Sequence, residues 1–408
     1  MKQKLWTRDF TIITVGSMVS LLGSTLSSFA MNLMVLDRTE STLLFALYNI
    51  LYTLPMVLSP ILAGPFLDRF SRKRTIAALD FITSGLFLIM SLYLALFPFS
   101  FIFFAAMNIL LGAIGGVYSV AYQSFYPLTV TEGNMQRAYA VDSTLESLAA
   151  FIVPVSALIY NTFGLVPLFA ANTVTYFLAA VMETQLRTEE KYTSRESEYS
   201  GMRRFVSDFR EGLDYLRGER GLMSIAVYFF FSSLAGGVGY VVALPWLREN
   251  FANGEYIYSM VWLMGDIARV ISGVVFYKLR IPAKYKYAIA LTVYVTTCVL
   301  EAAYLYVPVP VMAVMCFTTG LLGMASYNIR ISATQCYVPD EKKGRFNGAF
   351  GTLTTVGQLV GQGAGGALAA VMAKRPIIVL ANGICLLAAI VFIGGSKKAV
   401  SAVYSTEK

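Results

Sequence analysis

Long apolar stretches, separated by short polar segments, run along almost the whole chain. We place twelve of them, at approximately 10–36, 42–66, 75–97, 99–127, 138–160, 163–186, 222–247, 256–277, 285–307, 309–336, 346–372 and 376–395. A helix needs about 20 predominantly apolar residues to cross the hydrocarbon core of a bilayer. The pattern therefore predicts an all-α membrane protein with twelve transmembrane helices.

One long polar segment, 187–220, divides these stretches into two groups of six. It carries eight basic and eight acidic residues. Within it, Phe205, Phe209, Leu213 and Leu216 recur at helical spacing, which predicts an amphipathic helix at the membrane surface. We expect a six-helix bundle at 1–186, a cytoplasmic linker at 187–220, a second six-helix bundle at 221–396 and a cytoplasmic tail at 397–408.

The two groups of six show traces of an internal repeat. At an offset of 208 residues, four pairs match: Gly112 with Gly320, Gly115 with Gly323, Glu132 with Asp340 and Arg137 with Arg345. Parallel repeats of six spans are found in transporters that work by alternating access. We therefore expect two six-helix pseudo-repeats.

The composition excludes several classes of protein. Hydrophobic residues make up 57% of the 408 residues and charged residues 14%, against about 45–50% and about 25% in soluble domains. A soluble enzyme, a disordered chain and a secreted disulfide scaffold are excluded. The chain has no histidine, so we expect no His-ligated metal site, and we expect no cofactor.

The positive charges predict the orientation in the membrane. With the N-terminus placed inside, 26 of the 32 Lys and Arg residues fall in cytoplasmic segments and only four fall outside. Cytoplasmic loops collect positive charge, so both termini are predicted to be cytoplasmic. This bias also explains the net charge of +8 without a nucleic-acid partner. The first stretch is longer than the apolar region of a signal peptide, so we expect it to be retained.

A short basic loop between the second and third stretches carries a motif. It reads Gly64-Pro-Phe-Leu-Asp68-Arg69-Phe-Ser71-Arg72-Lys73-Arg74 and resembles the signature of the major facilitator superfamily. Five positions match the signature: Gly64, Asp68, Arg69, Arg72 and Lys73. Phe66 replaces a leucine, and Ser71 replaces a glycine that would supply unusual backbone angles. The resemblance implies a gating latch that holds the two halves together on the cytoplasmic side.

Further segments are similar to the bacterial macrolide-efflux and enterobactin-exporter branch of that superfamily. They are Gly16, the stretch 20–24, the stretch 205–216 and Gly344-Arg345. This resemblance implies a monomeric secondary transporter of the inner (cytoplasmic) membrane, surrounded by lipid. The expected activity is proton-coupled export of a lipophilic or amphipathic small molecule, such as a drug, macrolide or siderophore. The antiporter signature of the family places Gly-Pro in the fifth span, where this chain has Val153-Pro154, so that motif does not support antiport.

Charged residues inside predicted spans are candidates for coupling, because insertion of Arg, Lys or Asp at a span centre costs about 2.5–3.5 kcal/mol. Asp266 and Arg269 lie three residues apart and can share a helix face. By the resemblance, these two residues and Arg330 reach a central cavity. Asp266 is the predicted protonatable group, and the alternative is a static ion pair with Arg269.

Acidic residues of the first half are the other candidates. Asp142 and Glu146 lie one helical turn apart and are predicted to act in coupling or to pair with Arg72. Asp80 is expected to be structural. Glu183 lies near the inner interface and is expected to be solvated.

Uncharged polar residues mark a possible substrate cavity. The candidates are Asn32, Tyr118, Tyr122, Gln123, Tyr240, Tyr327 and Asn328. With Phe229 to Phe231 and Trp262 they would line an aromatic, amphipathic cavity suited to a large lipophilic ligand. The alternative is that these side chains pack between helices.

Two other functions remain open at this point. A lysophospholipid or glycolipid transporter or flippase would have the same fold, and a receptor or scaffold would not need a gating latch. The chain has no phosphate-binding Gly-x-x-x-x-Gly-Lys-Ser/Thr motif, which disfavours direct use of ATP. It also shows no catalytic triad and no cluster of metal ligands, so we do not expect an enzyme.

Overall fold

The fold comes from a computed structural model, which describes residues 4–67, 70–190, 202–278 and 281–406. Within these ranges every regular element is helical and no strand occurs. The first helices are α1 (Arg8–Thr39), α2 (Thr42–Leu67), α3 (Arg72–Leu96), α4 (Phe101–Phe125), α5 (Met135–Ala150), α6 (Val153–Phe163) and α7 (Leu165–Glu183). They are followed by α8 (Met202–Gly218), α9 (Arg220–Asn250), α10 (Gly254–Lys278), α11 (Ala283–Ala303), α12 (Val309–Tyr337), α13 (Asp340–Ala369), α14 (Lys374–Ala388) and α15 (Lys397–Tyr404).

The chain folds into two compact units. The first comprises Met1–Glu40 and Tyr48–Arg204, and the second comprises Ser41–Leu47 and Phe205–Lys408. Among the described residues, ten helices are long and apolar enough to cross a membrane. Helix α13 is not one of the ten, and neither α5 nor α6 is long enough alone.

The first unit is built around α1, α3 and α7. Helix α3 packs along α7, and α1 packs against α5, α6 and α7. Helix α4 packs against α3 and approaches α2 at Gly112, where an added Cβ would collide with the carbonyl oxygen of Tyr52. A glycine at this position therefore allows the two helix backbones to meet.

The second unit repeats this arrangement. Helix α9 packs against α13 and α14, and α11 packs against α12 and α14. Helix α12 approaches α10 at Gly320, where an added Cβ would collide with the carbonyl oxygen of Gly265. Gly112 and Gly320, matched at an offset of 208 in the sequence, therefore make equivalent contacts in the two units.

The fifth predicted span, 138–160, is formed by two successive helices and not by one. Helix α5 ends at Ala150, and α6 begins at Val153 with Pro154 in its first turn. Proline has no N–H to donate and is accommodated without cost in the first turn of a helix, which suits a new helix that starts at this point. Within the predicted linker the structure describes the helix α8, and the final predicted segment contains the short helix α15.

Candidate functional site

The first unit contains a cavity of about 420 Å³, within the size range of small-molecule sites. Its polar lining includes Ser17, Ser20, Ser24, Tyr52, Asp80, Thr83, Tyr118, Ser119, Tyr122, Gln123, Asp142 and Tyr176. Methionine, leucine and further aromatic side chains complete the wall. This mixed lining suits an amphipathic ligand.

Three predicted cavity residues lie together on α4 in this wall. Tyr118 and Tyr122 stack with their ring centroids 6.0 Å apart, and Gln123 donates to the Ser119 hydroxyl at 3.1 Å. Asn32 is buried in α1, and it is not among the described residues that line the cavity.

Asp142 also lies in this wall and accepts a hydrogen bond from the Tyr122 hydroxyl at 3.0 Å. The predicted pairing of Asp142 with Arg72 is not formed, since Asp142 has no ion pair among the described residues. The Arg72 guanidinium instead reaches the carbonyl oxygen of Ser124 at 3.4 Å. The side chain of Glu146 lies outside the described residues.

Two acidic residues given no functional role by the sequence lie at this cavity or beside it. Asp80 is 2% exposed and Glu183 is 1% exposed. The expectation that Glu183 is solvated is therefore wrong. Helix α1 covers its carboxyl group at Gly16, where an added Cβ would lie 3.3 Å from Glu183 Oε1.

The motif loop is described only in part. Gly64 lies in α2, and Asp68 and Arg69 lie outside the described residues. Ser71, which replaces the glycine of the signature, has a φ of −63° and so needs no glycine. It caps α3 by accepting a hydrogen bond from the Arg74 N–H at 3.3 Å. Glycine has no side chain that could accept this hydrogen bond.

A second residue, Glu190, also caps α3. Its carboxylate accepts hydrogen bonds from the N–H groups of Arg72 at 2.7 Å and Lys73 at 3.2 Å, and from the Ser71 hydroxyl at 2.8 Å. The Lys73 ammonium donates to the carbonyl oxygen of Thr188 at 2.9 Å. The start of α3 is thus tied to the segment after α7, a contact that no pattern in the sequence reveals.

The second unit has its own cavity, of about 490 Å³. Its lining includes Tyr228, Phe229, Tyr240, Trp262, Arg269, Tyr294, Glu301, Tyr304 and Asn382. The predicted candidate Tyr240 is in this wall. Tyr327 and Asn328 are not among the described lining residues, and Tyr327 is half-exposed.

The predicted coupling residues of this unit are separated into two groups. Asp266 pairs with Arg269, with 2.9 Å between Oδ1 and Nη1, and only Arg269 lines the cavity. The Arg330 guanidinium lies over the rings of Phe229 at 5.0 Å and Phe350 at 4.6 Å. Arg330 therefore does not join the Asp266 pair.

Comparisons with known proteins identify the family of this chain. The Major Facilitator Superfamily profile matches residues 11–362. The MFS-type transporter YkuC of Bacillus subtilis (strain 168) is 22% identical over 61% of this chain and 59% of its own length. Macrolide efflux protein A of Streptococcus pyogenes is 23% identical over 55% of each chain. The matched region thus spans less than two thirds of either relative.

Solved structures share the fold. The nucleoside transporter NupG superposes with a TM-score of 0.68 at 12% identity, over 94% of this chain and 98% of NupG. A bacterial homologue of the iron transporter ferroportin, in an inward-facing state, superposes with a TM-score of 0.68 at 14% identity, over 98% of this chain and 99% of the homologue. At these identities the likeness concerns the fold alone. The profile match covers far more than half of the sequence, and the chain therefore belongs to the Major Facilitator Superfamily.

Proposed function

We propose that this protein is a secondary active transporter of the cytoplasmic membrane that exports a lipophilic or amphipathic small molecule by alternating access. Membership of the Major Facilitator Superfamily carries this proposal, because the profile match extends over both units. It favours transport over an enzymatic activity. The relative named as a macrolide efflux protein supports export and a large lipophilic substrate.

The cavities support a substrate that is both apolar and polar. Each unit contains its own cavity, of about 420 or about 490 Å³, in which tyrosines, hydroxyl and amide groups and a few charged groups lie among apolar side chains. Such sites bind by apolar contact and orient the ligand with a few polar groups. A macrolide has this mixed character, since it combines a large apolar ring with polar sugars.

The proposed topology has twelve spans with both termini in the cytoplasm. Ten helices qualify as spans by length and hydropathy. We add α13, whose 30 residues extend for about 45 Å, and count α5 with α6 as one interrupted span. The distribution of Lys and Arg then places the motif loop and the segment after α7 on the same, cytoplasmic side.

We further propose that a proton gradient drives export. One proton moving through about 150 mV supplies roughly 3.5 kcal/mol, enough for a substrate gradient of a few hundredfold. No ATP-binding motif is present in the sequence that would offer another source of energy.

The test is accumulation of radiolabelled erythromycin in a bacterial strain that lacks its main efflux pumps. Expression of the protein should lower steady-state accumulation, and a protonophore should restore it. The Asp68→Asn variant, expressed at the same level, serves as the control with a damaged latch. Unchanged accumulation of erythromycin, with transport of a fluorescent lysophospholipid instead, would replace drug export by lipid transport.

A further inference from the structure

Two carboxyl groups are buried together where α3 packs along α7 in the first unit. Asp80 lies about two turns into α3, and Glu183 is the last residue of α7. Both groups face the same side of α1: Glu183 lies against Gly16, and Asp80 accepts a hydrogen bond from Ser20, one helical turn further along. Among the described residues, no Lys or Arg pairs with either of them.

The hydrogen bonds of this pair are incomplete. The Ser20 hydroxyl donates to Asp80 Oδ2 at 3.1 Å. Both carboxyl oxygens of Glu183 are buried, and neither has a hydrogen-bond partner among the described residues. The Tyr118 hydroxyl, which lies beside the Glu183 carboxyl group, is likewise buried and forms no hydrogen bond of normal geometry among the described residues. Buried polar groups are normally satisfied, so three unpartnered oxygen atoms in one place need an explanation.

The described residues that line the cavity beside the pair include no Lys or Arg. Tyr118 of α4 and Tyr176 of α7 line the same cavity as Asp80. The Tyr176 hydroxyl is engaged with that of Ser24 in α1. Phenols ordinarily ionise only near pH 10, so around neutral pH these neighbours are neutral.

Two ionised carboxylates without a cation would be strongly unfavourable at this position, because burial removes their hydration and leaves their mutual repulsion. A bound proton removes one charge and supplies a donor for an unpartnered oxygen. Resting on the transport function proposed above, we propose that Asp80 and Glu183 form the proton-binding site that couples export to the proton gradient.

The position of the pair suits this role. Asp80 and Tyr118 line the first cavity, so a ligand held there contacts one member of the pair. Glu183 is not among the described lining residues and lies at the end of α7. A proton on the pair and a substrate in the cavity thus act on the same carboxyl group, which is the requirement for exchange. By contrast, Asp266 already has a cation, Arg269, as its partner.

The first test measures proton binding without any substrate. Infrared spectra of the purified protein in lipid nanodiscs at about pH 7, where ordinary Asp and Glu are ionised, should show absorption from a protonated carboxyl group. This absorption should be lost in Glu183→Gln or Asp80→Asn and kept in Glu189→Gln, which alters an exposed carboxyl group six residues away. Identical spectra for the unaltered protein and both variants of the pair would overturn the proposal.

A second measurement needs no substitution in the pair. A hydrophobic carbodiimide modifies protonated carboxyl groups in apolar surroundings, and peptide mapping by mass spectrometry locates the adduct. We expect the adduct on Asp80 or Glu183 and less of it as the pH rises. Modification elsewhere in the chain, with neither of these residues labelled, would contradict the proposal.

Transport by the same variants separates this inference from the function on which it rests. Glu183→Gln should abolish gradient-driven movement of erythromycin in vesicles but retain erythromycin exchange, which needs no net proton movement. Gradient-driven transport by both variants at the unaltered rate would overturn the coupling role and leave the transport function intact. If the unaltered protein moves no erythromycin in either assay, the transport function fails, and the infrared spectra alone decide the proton site.

Discussion

Arg330 is a cation within a membrane helix whose described partners are aromatic rings. The guanidinium lies 4.6 Å from the ring centroid of Phe350, 5.0 Å from that of Phe229 and 5.4 Å from that of Tyr327. Its Nε atom is buried with no hydrogen-bond partner among the described residues. A cation over an aromatic face gains about 0.5–1 kcal/mol, and about 2 kcal/mol when desolvated. Three rings together can therefore offset much of the cost of inserting this charge.

A double-mutant cycle can measure this contribution. Phe350→Leu should destabilise the protein more in the presence of Arg330 than in an Arg330→Met background, with a coupling energy of about 1 kcal/mol. Residue 350 is apolar in all four proteins of the cycle. The difference between the two effects of Phe350→Leu therefore isolates the contact between the cation and the ring. The readout is thermal unfolding of the purified protein in detergent. Strictly additive effects would show that the rings only fill space around Arg330.

Local spacing predicted some of the site residues, and tertiary packing decided the others. The ion pair of Asp266 and Arg269 follows from a separation of three residues on a helix. Burial of Glu183 depends on α1 covering it at Gly16, which is far away in the sequence. Side-chain type and periodicity carry no information about such a contact, so the carboxyl pair with Asp80 was not predicted.

At the scale of elements, the N-terminus of α3 is held by a residue from outside the helix. Glu190 accepts hydrogen bonds from two backbone N–H groups in the first turn. Glu190→Ala should destabilise the protein by about 1–2 kcal/mol, as for the loss of a helix cap, whereas the same change at exposed Glu189 should have little effect. Thermal unfolding of the two variants provides the comparison. Equal melting temperatures would show that the cap contributes nothing.

Helix α8 is attached to the second unit more by packing than by charge. Arg345 at the start of α13 pairs with Glu211 at 2.8 Å and with Asp208 at 3.5 Å, but all three side chains are about half-exposed. Exposed ion pairs contribute only about 0–1 kcal/mol. At Gly212 the helix backbones are so close that an added Cβ would collide with the carbonyl oxygen of Arg345 and lie 2.9 Å from Ala349 Cβ.

Because of this contact, we expect substitution by alanine to have different effects on stability at the two glycines of α8. Gly212→Ala should destabilise the protein by about 1–3 kcal/mol because it overpacks the contact with α13. Gly218→Ala adds a methyl group with nothing within 4 Å, and should be neutral or stabilising by up to about 1 kcal/mol through helix propensity. Thermal unfolding and protease cleavage near α8 would report both effects. Similar behaviour of the two variants would contradict close docking.

The elements themselves were largely predictable. A charged, amphipathic pattern predicted α8, and the apolar stretches correspond to the long helices. The break between α5 and α6 was not predicted, because the apolar pattern continues across it and a proline can lie either inside a helix or in its first turn.

At the scale of the whole molecule, the two units use the same glycine contact. Gly112 meets the backbone of α2 and Gly320 meets that of α10. Alanine at either position should destabilise the protein by about 1–3 kcal/mol. Alanine at Gly115 or Gly323 should be tolerated. An added Cβ would lie 3.6 Å from the Tyr52 hydroxyl oxygen at Gly115, and it would have no atom within 4 Å at Gly323. If unfolding midpoints do not distinguish the two pairs of variants, the packing equivalence of the units is wrong.

Coupled export is tested most directly with purified protein in liposomes, by recording erythromycin and proton movement together. An imposed proton gradient, acidic inside, should drive erythromycin into liposomes through molecules whose cytoplasmic face is outward, while protons leave. Collapse of the gradient, or the Glu183→Gln substitution, should stop both fluxes. Erythromycin movement that is unaffected by the gradient, or no erythromycin movement under any gradient, would contradict proton-coupled export.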